Sequence, residues 1–365
     1  MSAARCILLA AGGTGGHLFP AAALAVALGR RGAAIELATD DRALKYGADF
    51  PAREIHAVAS ATTTGAGALS KARAALVLGA GLAASLALIG RLRPRAVVGF
   101  GGYPTVPPLT AAWLLGAPSA LHEQNAVMGR ANRFLAPRVT VIATGFPELQ
   151  GLDGALAAKA HYTGNPVRPA VLEAAETPYP DFDGRRLEVL VTGGSQGAQV
   201  MADVVPAALA LLAPQERARI RLAMQARGED KSRVAAACAR MGYPVELAEF
   251  FADLPRRMAA SHLVVGRAGA STVAELAAIG RPSILAPFPH ALDQDQAANA
   301  ATLAECGAAT VIPQNEFTPE RLAQSLRAAL ADPAALQAAA RAAKAAGVAD
   351  AAELLAELVM GIAAP

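Results

Sequence analysis

Residues 6–17, CILLAAGGTGGH, decide the fold class of the first half of the chain. Five apolar residues, Cys6–Ala10, predict a buried strand, and His17–Arg31 predicts a helix after the glycine cluster. A strand, a glycine-rich turn and a helix in this order are typical of a parallel sheet wrapped by helices. Residues 187–198, LEVLVTGGSQGA, repeat the arrangement in the second half.

Other apolar runs extend this pattern along the chain. Further strands are predicted at Ala96–Gly99, before Gly101-Gly102, at a run ending at Leu121, at Leu263–Val265 and at Ser283–Ala286. A length of 365 residues suits two domains. The sequence therefore predicts two similar α/β halves that divide near Gly164-Asn165-Pro166.

Two segments of the second half are predicted to lie outside its sheet. Thr177–Asp181 contains two prolines and is interpreted as a surface loop. From Thr318 onward the alanine-rich sequence predicts a terminal helix pair that packs across the domains.

Composition and charge narrow the class of protein. A hydrophobic content of 54% and a charged content of 17% exclude a disordered chain. The three cysteines have no disulfide or zinc spacing, which indicates a reduced, cytosolic protein. Residues 1–165 hold 15 basic against 8 acidic side chains, whereas residues 166–365 hold 18 against 22. The basic half favours an anionic surface as a partner, and the 4% aromatic content argues against a nucleic-acid stacking platform.

Residues Ala74–Gly90 form an apolar stretch of 17 residues without a charge. They are diluted by alanine and glycine and fall short of a strongly apolar spanning helix. Basic residues flank the stretch on both sides: Lys71, Arg73, Arg91, Arg93 and Arg95. Two interpretations remain, a buried crossover helix or a helix lying on an anionic membrane, and both hold if one face is buried and one end exposed.

The glycine clusters at Gly12–Gly16 and Gly193–Gly197 are candidate anion sites, because backbone N–H groups at a helix start approach an anion closely. Neither cluster is followed by the Lys-Ser/Thr of a P-loop, and each lacks the third glycine of a dinucleotide fingerprint. Two alternatives stay open at this point. The glycines could only permit tight turns, or Asp40 could be the ribose-binding acid of a nicotinamide enzyme.

Polar residues follow several predicted strands, at the edge where open α/β sheets bind ligands. His122-Glu123-Gln124-Asn125 is one such run. Ser271 or Thr272 could cap a predicted helix, and Glu275 lies one turn inside it. Glu275 could accept hydrogen bonds from a ribose diol or complete a capping box. Asp293 and Asp295 form a D-x-D, which is interpreted as an acidic helix start rather than a metal site.

These motifs, taken in order, resemble the MurG family of UDP-N-acetylglucosamine transferases, which convert lipid I to lipid II in peptidoglycan synthesis. The resemblance covers about residues 5–345 and rests on this ordered set: Gly12–His17 with Pro20, Gly101-Gly102-Tyr103, His122–Asn125, Gly164–Arg168, Gly193–Ala198, Ser271/Thr272 with Glu275, and Gln296 with Asn299. It implies a GT-B fold, with two Rossmann-like α/β domains whose parallel sheets face each other across a cleft.

The resemblance also implies three segments. Residues 1–164 would form an acceptor and membrane-facing domain, and residues 165–345 a domain that binds UDP-N-acetylglucosamine. Residues 346–365 would form a helix that packs back toward the first domain.

Individual roles follow from the same resemblance. Ser195 would contact the donor phosphate, Glu275 the ribose, the Phe251 backbone the uracil, and Gln296 the sugar hydroxyls. Arg168 and the helix start at Ala270, Ser271 and Thr272 would complete the donor site. Thr14, Gly15, Gly16, Tyr103 and Asn125 would form the acceptor side. His17 is the predicted general base, with Glu123 and His122 as alternates, and Asp295 departs from the commoner residue of the family.

The implied partners are UDP-N-acetylglucosamine, the undecaprenyl-linked lipid I and an anionic membrane surface, with no nucleic acid, cofactor or metal. The implied location is the cytoplasmic face of the inner membrane, as a peripheral protein. A UDP-N-acetylglucosamine 2-epimerase-like enzyme and a non-catalytic nucleotide-sugar-binding protein remain as alternatives.

Overall fold

A computed structural model describes residues 6–13, 15–40, 50–60, 68–183, 185–194, 197–289 and 294–363. The chain forms two compact units. Unit 1 contains Met1–Arg168 and Ala349–Pro365, and unit 2 contains Pro169–Val348. The first passage between the units therefore follows Arg168, just after the Gly164-Asn165-Pro166 segment.

Unit 1 is built on a seven-stranded sheet in which every observed strand pair is parallel. The strand order is β3-β2-β1-β4-β5-β6-β7. In chain order its elements are β1 Ile7–Ala10, α1 Gly15–Arg30, β2 Ile35–Thr39, β3 Glu54–Ala57, α2 Ala68–Leu92, β4 Ala96–Gly99, α3 Val106–Leu114, β5 Ser119–Glu123, α4 Arg130–Leu135, β6 Val141–Thr144, α5 Gly154–Ala157 and β7 Ala160–Tyr162.

Unit 2 repeats the architecture with a six-stranded parallel sheet in the order β10-β9-β8-β11-β12-β13. Its elements are α6 Pro169–Ala175, β8 Leu187–Thr192, α7 Gln199–Ala210, α8 Pro214–Arg217, β9 Ile220–Gln225, α9 Gly228–Arg240, β10 Val245–Ala248, α10 Leu254–Ala260, β11 Leu263–Gly266, α11 Ala270–Ile279, β12 Ser283–Leu285, α12 Asp295–Glu305, β13 Ala309–Val311, α13 Pro319–Ala331 and α14 Pro333–Ala346.

Both faces of the first strand are buried, which explains its continuous apolar run. Ile7 and Leu9 enter a core with α1, and Leu8 enters the core on the opposite face of the sheet. The last helix, α15 (Ala351–Ile362), belongs to unit 1 and packs against α1. Glu353 of α15 forms ion pairs with Arg30 and Arg31 at the end of α1.

Two sequence predictions need correction. The strand expected to end at Leu121 continues to Glu123, so His122 and Glu123 lie inside β5. The segment after Thr318 forms three helices rather than a pair, since Asp332 and Asp350 each begin a new one. Of the three, α13 and α14 belong to unit 2 and only α15 belongs to unit 1.

Helix α2 has one buried and one exposed face. Ala74, Gly81, Ser85, Leu88 and Ile89 form the buried stripe, and the helix packs against α3. A side chain at position 81 would clash, because a Cβ there would lie 2.1 Å from the carbonyl oxygen of Ala59. Ala72–Leu92 is also long and apolar enough to cross a membrane by length and composition, a test that core helices of soluble proteins pass too.

The loop at 177–183 is more than a surface connection, because a buried arginine holds it. Arg281, 1% exposed, donates to backbone carbonyls of three segments: Thr177 and Pro178 in the loop, Met258 and Ala259 in α10, and Ile279 and Gly280 at the end of α11. Burial lowers the pKa of this guanidinium to about 10. Four of these carbonyls, those of Met258, Ala259, Ile279 and Gly280, lie at the ends of α10 and α11, so one planar cation serves both helix ends.

Replacing Arg281 by methionine should destabilise unit 2 strongly. The carbonyls at the ends of α10 and α11 would lose their donor while staying buried, which costs about 3–5 kcal/mol in the free energy of unfolding. Urea unfolding followed by circular dichroism measures the change. The control is Arg341→Met on the exposed side of α14, for which we expect a change within about 0.5 kcal/mol. Equal stability of the two variants would contradict the proposed role of Arg281.

Candidate functional site

The glycine clusters lie where the strand order of each sheet reverses. In unit 1 the strands β1 and β4 are neighbours, and the helices that follow them start from adjacent strand ends. In unit 2 the corresponding strands are β8 and β11. Open α/β sheets bind ligands at this switch point, outside the carboxyl ends of the strands. Each unit therefore presents one candidate site, and the two are described separately.

In unit 1 the turn after β1 is fixed by a carboxylate from β2. The N–H of Gly13, which has a φ of 80°, donates to Asp40 Oδ1 at 3.0 Å. A Cβ on Gly12 would lie 2.8 Å from the same oxygen, so only glycine fits there. Asp40 thus holds the loop, a different task from the ribose binding considered in the nicotinamide alternative.

The glycine loop after β1 also orients the side chain of His17, which lies in the first turn of α1. His17 Nδ1 lies 3.1 Å from the carbonyl oxygen of Gly12. A carbonyl can only accept, so this contact places the proton of neutral imidazole on Nδ1 and leaves Nε2 as the basic nitrogen. Burial lowers the pKa of His17, while the Gly12 carbonyl and the charge of Asp40 act in the opposite direction. The imidazole is therefore neutral, and competent as a base, at neutral pH.

Glu123, at the end of β5, has both carboxylate oxygens engaged. Oε1 accepts from the backbone N–H of Asn125 at 2.9 Å, and Oε2 accepts from Gly129 N–H at 2.9 Å and from Asn132 Nδ2 at 2.7 Å. Its 2% exposure raises the pKa of the carboxyl, and the hydrogen bonds lower it. Glu123 therefore orders the loop that carries Asn125. Because both of its oxygens are engaged, His17 is favoured over Glu123 as the base.

His122 is fully buried one residue earlier in β5. Its Nε2 donates to the carbonyl of Gly164 at 3.1 Å, and its ring lies 5.6 Å from that of Phe100. Burial lowers the pKa of His122 to about 4. The side chain therefore ties the sheet to the segment that leaves unit 1, and it offers no nitrogen to a substrate.

The remaining predicted residues of unit 1 lie at the same edge. Gly15 and Gly16 begin α1, Tyr103 starts a short 3-10 turn after β4, and a Cβ on Gly102 would lie 3.3 Å from His17 Cε1. Arg168 was predicted to lie at the donor site. The structure places its guanidinium 4.6 Å from the ring centroid of Phe19 in α1. Thr14 lies outside the described residues.

In unit 2 the turn after β8 is held by an amide from β9. Gln225 Oε1 accepts from Thr192 Oγ1 at 2.9 Å and from the N–H of Gly193 at 3.2 Å. The N–H of Gly194 is engaged as well, by Thr192 Oγ1 at 3.3 Å. The first two N–H groups of the loop are thus bonded within the protein and do not face an anion. Ser195, the predicted phosphate contact, lies outside the described residues.

The start of α11 is the second feature of this site. Gly269 precedes a ten-residue helix whose first N–H groups, at Ala270, Ser271 and Thr272, point outward from the carboxyl edge. Side chains from neighbouring segments fix the backbone just before the helix. Gln296 Oε1 accepts from the N–H of Ala268 and of Phe288, and Asn299 Nδ2 donates to the carbonyl of Ala268.

Glu275 and Phe251 lie where the sequence pattern predicts them, in α11 and after β10. Glu275 is buried at 7% exposure on the inner side of α11. Phe251 is buried beneath the guanidinium of Arg257, 4.3 Å from its ring centroid, whereas its neighbour Phe250 is 68% exposed. The backbone carbonyl of Phe251 accepts from Leu254 N–H at 3.3 Å.

Among the described residues, one group has the composition of a metal site. Ligand atoms of Glu36, Glu54 and His56 lie within 4.8 Å of one another. Glu36 already accepts from Arg53 and His56, both at 2.7 Å, and the group lies in the strands β2 and β3 rather than at the carboxyl edge. We interpret it as an ion-pair cluster. Asp293 of the D-x-D lies outside the described residues, and Asp295 Oδ1 accepts from the N–H of Gln296 at the start of α12.

Three residues of the sites were not found from the sequence: Gln225, Asn132 and Arg267. Arg267 donates to the carbonyls of Ala286 and Pro287 and to Gln314 Oε1, and so braces the segment after β11. Gln225 carried a usable signal, since it is the polar last residue of an apolar strand. Asn132 and Arg267 carried none: Asn132 lies nine residues from its partner Glu123, and the partners of Arg267 lie 19 to 47 residues away, outside any local motif.

Comparison with known families covers most of the chain. The glycosyltransferase family 28 N-terminal domain matches residues 7–144, and the C-terminal domain of the same family matches residues 188–355. A protein of Rhodopseudomonas palustris (strain BisA53) is 55% identical over 365 residues, which are 100% of this chain and 97% of that protein. A protein of Methylobacterium radiotolerans is 57% identical and covers 98% of each chain. Both are named UDP-N-acetylglucosamine–N-acetylmuramyl-(pentapeptide) pyrophosphoryl-undecaprenol N-acetylglucosamine transferase.

Solved structures agree with this assignment. The crystal structure of Acinetobacter baumannii MurG has a TM-score of 0.79 and 26% identity, and the match covers 98% of this chain and 99% of that one. The UDP-GlcNAc 2-epimerase of Neisseria meningitidis, bound to UDP-GlcNAc, has a TM-score of 0.70 over 97% and 99% of the two chains. At 11% identity, the second match shows a shared fold alone.

His122 predicts a measurable pH dependence of stability. Its folded pKa of about 4 lies below the unfolded value of 6.5, so its contribution is complete above pH 6.5 and is lost as the pH falls toward 4. Between pH 7 and pH 5 the loss is about 2 kcal/mol. A His122→Gln variant, which keeps a donor for Gly164, should lack this part of the slope in urea unfolding at the two pH values. Identical slopes for the two proteins would contradict the assignment.

Proposed function

We propose a division of roles between the two units of this chain. The premise is that the chain belongs to glycosyltransferase family 28 and, within it, to the MurG family. The enzyme is a hexosyltransferase of the GT-B fold that moves N-acetylglucosamine from UDP-N-acetylglucosamine to lipid I in peptidoglycan synthesis. We assign the donor to unit 2 and the acceptor to unit 1. The observation that carries this assignment is the location of a helix-start site in unit 2 and of an oriented base in unit 1.

The donor roles rest on the geometry of the carboxyl edge of unit 2. The start of α11 concentrates positive potential from the helix dipole, which stabilises a diphosphate as the bond to the sugar breaks. Glu275 accepts hydrogen bonds from the ribose, and Ser195 contacts the donor phosphate. Because Gln296 Oε1 is bonded to two backbone N–H groups, its amide nitrogen faces the other way and donates to sugar hydroxyls.

The acceptor roles rest on the orientation of His17. As the C4 hydroxyl oxygen of the acceptor sugar bonds to the anomeric carbon, the bond to UDP breaks and the hydroxyl proton passes to Nε2 of His17. The Gly12 carbonyl then stabilises the resulting imidazolium through Nδ1–H. Glu123 acts as a positioning residue, because it orders the loop that presents Asn125.

Removing the imidazole tests the base. We expect His17→Ala to lower single-turnover transfer from UDP-N-acetylglucosamine to a water-soluble lipid I analogue by about 10²–10⁴-fold. In the parent enzyme kcat/KM should fall toward acid pH through an apparent pKa below 6.5, because burial depresses the pKa of His17 and only its neutral form accepts a proton. This acid limb should be absent in the variant.

The matched control is His161→Ala, which removes an exposed histidine of β7 and should leave the rate and its pH profile unchanged. A rate for His17→Ala within tenfold of the parent, or an unchanged acid limb, would exclude His17 as the base.

We also propose that unit 1 docks on the cytoplasmic face of the membrane, where the lipid-linked acceptor lies. Support comes from the exposed side of α2, which carries no charge between Arg73 and Arg91. It presents Leu76, which is 76% exposed, with the exposed alanines Ala80, Ala83 and Ala87. An apolar helix face with basic ends suits a helix lying in the headgroup region of an anionic bilayer.

The neighbouring helix extends this surface. Trp113 of α3 is 51% exposed, and Arg138 lies over both its ring and that of Phe134, which is 47% exposed. Exposed tryptophan and arginine together are typical of membrane interfaces. Among the basic flanks, Arg91 and Arg93 are exposed, whereas Arg95 donates to the carbonyl of Ala363 and so serves the fold. The side chain of Lys71 lies outside the described residues.

Charge reversal tests the docking face. Arg91→Glu with Arg93→Glu should weaken binding to vesicles that contain anionic lipid by roughly 30-fold at low salt, since each arginine contributes about 1 kcal/mol. Turnover of a water-soluble acceptor analogue should not change. Flotation or sedimentation with vesicles measures the binding.

The control for charge is the pair Arg240→Glu and Arg341→Glu, two exposed positions of unit 2. Binding that falls equally in both pairs would show a general charge effect and would count against α2 as the docking helix.

A further inference from the structure

We infer that Gln225 is a positioning residue for the donor diphosphate, an inference that rests on the proposed function of unit 2. Gln225 is the last residue of β9, the strand between β8 and β10. Its side chain is 8% exposed and lies at the carboxyl edge. It joins the glycine turn after β8 to the segment after β10, where the diphosphate and the uracil are assigned.

The carboxamide of Gln225 uses its full hydrogen-bonding capacity. Oε1 accepts from Thr192 Oγ1 at 2.9 Å and from the N–H of Gly193 at 3.2 Å. Nε2 donates to the carbonyls of Gly194 and Glu249, both at 3.2 Å. A carboxamide offers two acceptor sites and two donors, so no other side chain of this length forms all four bonds.

Three of the four bonds converge on the turn at residues 192–194. They fix both the N–H of Gly193 and the carbonyl of Gly194, and the hydroxyl of Thr192 adds a bond from Gly194 N–H at 3.3 Å. The carbonyl of Gly194 also accepts from the N–H of Gly197 at 3.1 Å. Gln225 therefore fixes the backbone as far as Gly194, the residue that precedes Ser195, which is assigned to the donor phosphate.

The backbone of this turn does not accommodate side chains at its glycine positions. Gly194 and Gly197 have φ values of 79° and 69°, in the left-handed region. A Cβ on Gly193 would lie 2.3 Å from the N of Ala198, and a Cβ on Gly197 would lie 2.5 Å from Arg227 Cγ. A side chain is therefore disfavoured at each of these three glycines, and the bonds to the Gly193 N–H and the Gly194 carbonyl come from the adjacent strand.

The fourth bond reaches Glu249, two residues before Phe251. It couples the position of the uracil segment to that of the diphosphate turn through a single side chain. Because three bonds serve the turn and one serves Glu249, loss of the amide should affect phosphate binding more than nucleoside binding. This asymmetry separates a positioning role from a general loss of structure.

The experiment compares binding of UDP and of uridine by calorimetry, together with KM and kcat for UDP-N-acetylglucosamine. Gln225→Met keeps the length of the side chain and removes all four bonds. We expect the Kd of UDP and the KM of the donor to rise by about 10–100-fold. The Kd of uridine should rise by less than about threefold, and the KM of the acceptor analogue should not change.

Two further variants keep the test independent of a single protein's folding. Thr192→Val removes one member of the same network, so its effect on UDP binding should be smaller than that of Gln225→Met and less than additive with it in the double variant. Tyr243→Phe is the matched control. It removes a buried bond, from the Tyr243 hydroxyl to the carbonyl of Ile220 at 2.7 Å, at the opposite end of β9. It should leave both affinities unchanged.

The outcomes are distinct. UDP affinity within twofold of the parent in a folded Gln225→Met or Thr192→Val protein would overturn the inference, as would equal weakening of UDP and uridine. A parent enzyme that does not bind UDP would overturn the proposed function instead.

Discussion

A strand that passes into a helix through left-handed glycines leaves N–H groups without a partner in the sheet, and each buried N–H group must be satisfied. Both sites of this enzyme depend on how that requirement is met. In unit 1 the carboxylate of Asp40 accepts from Gly13, and in unit 2 the amide of Gln225 accepts from Gly193. In both cases the accepting side chain comes from the end of the strand beside the turn. These glycine N–H groups are therefore held by protein side chains before any ligand binds, and such preorganisation favours electrostatic stabilisation of a reacting group.

Several other buried polar side chains also hold backbone segments in place through hydrogen bonds. Glu123 gathers the N–H groups of the loop at residues 125–129, His122 holds the carbonyl of Gly164, and Arg281 gathers the carbonyl ends of two helices. Each replaces hydrogen bonds to water with bonds to the backbone, and each would leave a buried backbone group without this partner if removed. Polar residues at the edges of these sheets thus hold backbone segments in place, which limits what their residue type alone reveals about substrate binding.

This explains which features the sequence predicted. The strands at Ala96–Gly99 and Leu187–Thr192 were identified to the residue, because a mostly apolar run that stops at a glycine is typical of a strand with both faces covered. The end of β5 was missed, because polar His122 and Glu123 continue a strand whose pattern stops at Leu121. Gln225 was missed although it is the polar last residue of β9, because its partners lie 24 to 33 residues away. Arg281 was missed because no local pattern encodes its bonds to Thr177 and Pro178, which lie 104 and 103 residues away.

The two turns differ in the charge of the side chain that holds them, and the chemistry of each site accounts for the difference. In unit 1 the turn orients an imidazole that gains a proton during transfer, and the carboxylate of Asp40 favours the protonated form. In unit 2 the turn precedes the position assigned to a diphosphate, where a carboxylate would repel the ligand by several kcal/mol at short range in a partly buried site. An amide oxygen accepts from a backbone N–H as a carboxylate does, and it carries no charge. Glutamine at position 225 and aspartate at position 40 are therefore equivalent as supports for a glycine turn, and they are not interchangeable once the charge of each reaction partner is considered.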